Sequence, residues 1–143
     1  MPSFKTLSRY VFAILFVGGG FLHFAIPDFY LKIMPDYFPV DWRLPLVNVS
    51  GVAEIVLGAL LMFRDFQRVA AWGLILLLIA VFPANIYAYQ HRQELAPQIP
   101  GIVHLARLPA QGLLILWAYW YTRPPRRAQG RIEPAAPPAG NPQ

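Results

Sequence analysis

Four long apolar runs constrain this chain more than anything else in it. They are Tyr10 to Ile26, Leu44 to Phe63, Val69 to Tyr89 and Ile102 to Thr122, each 17 to 21 residues long. A helix needs about 20 apolar residues to cross the roughly 30 Å hydrocarbon layer of a bilayer. Backbone N–H and C=O groups meet no water there, so a crossing segment must satisfy its own hydrogen bonds as a helix or join a closed barrel. Four strands cannot close a barrel, and the runs do not alternate with the period of two that a barrel wall requires. The expected fold is therefore all-α: an antiparallel, up-down four-helix transmembrane bundle with spans at about 8–26, 44–63, 69–89 and 102–122.

Composition and charge placement agree. Hydrophobic residues make up 57% of the 143 residues and charged residues 13%, about half the charged share of a soluble domain. The net charge is +5, but the basic residues flank apolar runs instead of forming a groove with interleaved aromatics. That pattern points to membrane lipid, not nucleic acid, as the partner. Cysteine is absent, which removes thiol and thiolate chemistry. Lys5 and Arg9 precede the first run as in a signal peptide, but Phe24-Ala25-Ile26-Pro27 is no A-x-A-like cleavage site, so this run is expected to remain as a span. Eight basic residues lie on one side (Lys5, Arg9, Arg64, Arg68, Arg123, Arg126, Arg127, Arg131) and three on the other (Lys32, Arg43, Arg92). This bias predicts both termini in the cytoplasm. The stretch 123–143 holds six prolines with Gly, Ala and Arg and is expected to be a disordered cytoplasmic tail.

The chemistry is carried by polar residues inside the runs. His23, Glu54 and Arg107 are ionisable, with Asn85 and Gln111 beside them. Such groups are costly in lipid and face a bundle interior or water. Counting about 1.5 Å per residue puts Glu54 about 15 Å and Arg107 about 7 Å below the same surface, so an ion pair between them is expected. Gly51, Glu54 and Gly58 share one stripe, Gly19 and His23 another, and His104, Arg107 and Gln111 a third. Glycines on these stripes allow close approach of neighbouring backbones. Pro83 and Pro109 each free a carbonyl one turn earlier, at Ile79 and Leu105, and could kink their helices around a small cavity. Alternatively, Pro109 marks the first turn of the last helix and leaves Arg107 among the headgroups. The polar set is compatible with a structural clamp, with a pocket for a quinone or another small apolar ligand, or with proton or ion conduction. The aromatic-rich stretch Pro27 to Arg43 reads as an interfacial aromatic belt ahead of a ligand lid. Histidines 23, 91 and 104 show no metal-ligand spacing, and no cofactor signature is present.

Several of these residues resemble a known family. Gly20-Phe21-Leu22-His23-Phe24 with Pro27, Tyr30 and Met34-Pro35 resembles the start of DoxX-like bacterial membrane proteins. Ser50-Gly51-Val52-Ala53-Glu54-Ile55-Val56-Leu57-Gly58 resembles their second-helix G-x-x-E-x-x-x-G pattern. Phe82-Pro83-Ala84-Asn85-Ile86-Tyr87 and Arg107-Leu108-Pro109-Ala110-Gln111 are similar to an uncharacterised subgroup, and the likeness covers residues 8 to 122. The resemblance implies a four-helix protein of the bacterial inner membrane. It also implies either a non-catalytic subunit or small-molecule-binding module, or a component of a thiosulfate:quinone oxidoreductase-like assembly with an oxidoreductase partner.

Overall fold

The computed structural model of the protein describes residues 3–95, 97 and 100–123. Six helices follow one another: α1 (Phe4–Ala25), α2 (Pro27–Lys32), α3 (Val40–Leu61), α4 (Gln67–Gln90), α5 (Arg92–Leu95) and α6 (Gly101–Thr122). Four of them, α1, α3, α4 and α6, are long and apolar enough to cross a membrane. At about 1.5 Å per residue they reach roughly 33 to 36 Å. Large apolar side chains such as Phe21, Val49, Leu76 and Leu116 point outward and are exposed. Water would penalise such a surface, and hydrocarbon does not. The protein is a four-helix transmembrane bundle.

The observed helices begin up to six residues earlier than the hydropathy runs, because their first turns carry polar groups that a hydropathy reading cuts away. Ser3 caps α1, its side chain accepting from the Thr6 amide, and Asp41 sits in the first turn of α3. Pro27 opens α2 at a position where a missing N–H costs nothing. Pro83 lies inside α4 and Pro109 inside α6, so Pro109 does not mark the start of the last helix. The expected disordered tail falls, from residue 124 onward, outside the described residues.

Packing follows a simple order: α1 on α3, α3 on α4, and α4 on α6. Glycines make the first of these seams. A Cβ on Gly20 would lie 2.6 Å from the Gly51 carbonyl oxygen, and one on Gly58 would lie 3.0 Å from that of Ala13. The two backbones therefore touch, as small residues in membrane helices permit.

The two ends of the bundle differ. At the end carrying the tight 62–66 turn, Phe12, Phe16, Leu61, Leu74, Ala118 and Tyr121 join one buried core. Polar groups clasp this end. Ser8 Oγ and Tyr121 OH share a 2.7 Å hydrogen bond, and the Trp117 indole donates to Ser8 Oγ at 2.8 Å. Buried Arg9 donates to Gln67 Oε1 at 2.8 Å, and Gln67 donates to the Tyr121 carbonyl at 2.7 Å. At the opposite end no comparable apolar core forms among the described residues, and α2 lies across the opening.

Candidate functional site

The glycine seam brings two ionisable side chains together at the α2 end. His23 Nε2 stands 3.4 Å from Glu54 Oε1. Gly19 makes room for the carboxylate, since a Cβ there would be 3.0 Å from Glu54 Oε2. His23 Nδ1 lies 2.9 Å from the Val47 carbonyl oxygen. A carbonyl can only accept, so Nδ1 carries a hydrogen and donates it. Nε2 is then the nitrogen that faces Glu54, within ion-pair range of its carboxylate.

Tyr30 completes this group from α2. Its ring stacks on His23 with centroids 3.7 Å apart and planes inclined by 26°. Burial first, and then the nearby Glu54 charge, raise the Tyr30 phenol above its ordinary value, while Arg107 opposes the rise. Tyr30 therefore remains a hydrogen-bond donor across the physiological range. The segment behind it is pinned. Tyr87 of α4 donates to Asp36 at 2.6 Å, and Arg43 donates to the Phe38 carbonyl at 3.0 Å.

A cleft of about 630 Å³ opens beside these residues. Its walls are mostly apolar, with Leu15, Phe16, Met34, Leu77, Val81 and Leu114 among them. His23, Tyr30, Ser50, Glu54, Asn85 and Arg107 supply the polar part of the lining. The Glu54 side chain keeps 17% of its surface exposed and that of His23 8%, so the carboxylate is the more accessible member of the pair. Ser50 Oγ is buried without a hydrogen-bond partner among the described residues.

All five residues expected from the sequence belong to this region, but in a different pairing. Asn85 donates to Gln111 Oε1 at 2.6 Å, and Gln111 donates to the Leu78 carbonyl. That carbonyl lies one residue before Ile79, whose partner Pro83 removes. The expected ion pair between Glu54 and Arg107 is not formed. The reason is the order of the helices: α3 packs on α1 and α4, whereas α6 packs on α4. Glu54 is turned to α1 and its histidine. Across the cleft, the Arg107 guanidinium lies 5.9 Å from the Phe29 ring centroid instead.

Tyr30 and Ser50 were not singled out as site residues in the sequence. Reading 27–43 as a belt hid Tyr30, although one turn of separation from Pro27 was a usable sign that it sits in a short helix. Ser50 is four residues from Glu54, on the same helical stripe, and could have been found from that spacing.

Residues 12–122 match the family described as a domain of unknown function, DUF8561. The chain belongs to that family. The match runs from within α1 to the last residue of α6, so the four spanning helices from Phe12 onward and the whole cleft lie inside it. No curated protein and no solved structure matches the chain.

Proposed function

We propose that the protein is a membrane-embedded binding module for a small amphiphile of the quinone class. The observation that carries this reading is the cleft itself: mostly apolar walls and a convergent polar set at His23, Tyr30, Glu54, Asn85 and Arg107. Its volume of about 630 Å³ falls within the ordinary range of small-molecule sites, about 300 to 1,000 Å³. A ring carrying carbonyl or hydroxyl oxygens would meet donors from Tyr30, Asn85 and Arg107 beside the His23–Glu54 pair. The ligand would reach the cleft from the bilayer, where the protein already resides. The resemblance to DoxX-like proteins fits the same reading, and the proposal extends to a bacterial cytoplasmic membrane with both termini cytoplasmic, as the basic-residue bias predicts.

The His23–Glu54 pair favours a narrower version, in which the protein is the quinone-side component of a membrane oxidoreductase. Reducing a quinone to a quinol takes two electrons and two protons. A partner carrying a redox cofactor would supply the electrons, and His23–Glu54 would pass on one proton at a time, each replaced from the adjoining water, until both ligand oxygens are protonated. The test is titration of the purified full-length protein with a short-chain ubiquinone, followed by tryptophan quenching and native mass spectrometry. Wild-type protein should bind, and Tyr30→Phe should weaken binding about fivefold, the loss of one hydrogen bond to a quinone carbonyl. Binding unchanged in Tyr30→Phe and in Glu54→Gln, with only thermal stability reduced, would make the polar set a structural clamp.

A further inference from the structure

Arg107 has a second face. Beyond it, between α2 and the start of α6, lies another cavity of about 460 Å³, lined in part by Asp28, Phe29, Lys32, His104 and Arg107. Arg107 borders both this cavity and the larger cleft. It sits six residues into α6, about 9 Å along the helix. Among the described residues neither Arg107 nor Lys32 forms an ion pair, and Asp28 pairs with neither of them. The Phe29 ring gives the guanidinium a cation–π neighbour but no hydrogen-bond acceptor for its five N–H groups.

His104 strengthens the case. It is 4% exposed, and neither ring nitrogen has a hydrogen-bond partner among the described residues. A buried imidazole without partners is unfavourable. The residue lines the cavity, and an oxygen anion held there is an acceptor of the kind its ring N–H lacks. His104 and Arg107 are three residues apart on one helix face, and Lys32 approaches from α2. Two fixed positive charges and one orphaned imidazole outweigh the single Asp28 carboxylate.

We infer that this cavity binds an anionic oxygen group, a phosphate or carboxylate, held by Arg107 and His104 with Lys32 at its edge. The guanidinium fork matches the paired oxygens of such groups. Lipid headgroups carry this chemistry at the bilayer surface, and soluble phosphate carries it in the adjoining water. The site shares Arg107 with the larger cleft but is otherwise built from different residues, and its test uses no quinone, so either reading can fail without the other.

Full-length protein is exchanged into mild detergent containing equal amounts of phosphatidylglycerol and phosphatidylcholine, and retained lipid is read by native mass spectrometry. Thermal melting with and without inorganic phosphate is measured in parallel. Wild-type protein should favour phosphatidylglycerol by about tenfold or more. That preference should fall to near parity in Arg107→Gln, drop in Lys32→Gln, and persist in Arg68→Gln, an exposed arginine at the opposite end. If Arg107→Gln does not accumulate, Arg107→Lys serves in its place, because it keeps the charge and loses the fork. A phosphate-dependent rise in melting temperature, present in wild type and absent from these variants, also supports the site and assigns it to a soluble anion. The inference is overturned by an absence of both lipid preference and phosphate effect. It is equally overturned by a preference that Arg68→Gln abolishes as fully as the Arg107 variant.

Discussion

Gly20→Ala tests whether backbone contact between α1 and α3 builds the site. The added Cβ would stand 2.6 Å from the Gly51 carbonyl oxygen and 2.7 Å from Ile55 Cγ1. Ordinary contact begins near 3.4 Å, so the seam must open by about 0.8 Å. The Ile55 side chain can rotate away, but the carbonyl cannot. Two effects oppose each other. Alanine stabilises a helix interior by up to about 1 kcal/mol relative to glycine, while forcing a methyl into a filled interface costs about 1 to 3 kcal/mol. With backbone as the obstacle the second effect wins, and a net loss of about 1 to 2 kcal/mol is expected. Transmitted to the next turn, the shift would carry His23 and Glu54 from 3.4 Å to beyond 4 Å, past ion-pair range. Gly18→Ala is the control, because a Cβ there meets nothing within 4 Å, and it should be neutral or slightly stabilising. Unfolding in mixed detergent measures both variants. Equal stability of Gly20→Ala and Gly18→Ala would refute the argument that close backbone approach sets this seam.

Three further outcomes can be checked. Gln111→Leu should cost about 1 to 2 kcal/mol by stripping Asn85 and the Leu78 carbonyl of their partner, and the Asn85→Leu, Gln111→Leu double variant should lose less than the sum of the two single losses. The fold favours the protonated Tyr30 phenol, whose raised value means that this stabilisation is complete below about pH 10 and lost as pH rises through the folded-state value; melting curves from pH 8 to 11 should decline less steeply in Tyr30→Phe. Alkaline phosphatase fused after Gln93 should be active and after Thr122 inactive if the basic bias sets orientation, and the reverse pattern would invert the proposed topology.

The spanning helices were legible because hydrocarbon leaves a backbone few options, so run length alone sufficed. The site was partly legible for the same reason: His23, Glu54 and Arg107 stand out in apolar helices. Gly51 and Gly58 beside Glu54, and Gly19 beside His23, marked faces for close approach without saying which helices would meet. Partner choice was not legible. Depth placed Glu54 near Arg107, but depth does not say which helices are neighbours, and the ring order gave Glu54 to His23. Tyr30 escaped notice because an aromatic loop at a bilayer surface has the same composition whether it faces lipid or folds over a cleft. The clasp of Ser8, Trp117 and Tyr121 lies in helix ends where none of the three residue types is unusual.

A bundle fastened at one end and open at the other is a lever. Tyr121 sits in the clasp, and Arg107 lies 14 residues away on the same helix, about 21 Å along its axis. A tilt of α6 by only about 5° around the clasp would displace Arg107 by nearly 2 Å, about the scale of the helix shifts that switch other proteins. Such a swing would move Arg107, which borders both cavities, while leaving the aromatic core at the clasp undisturbed.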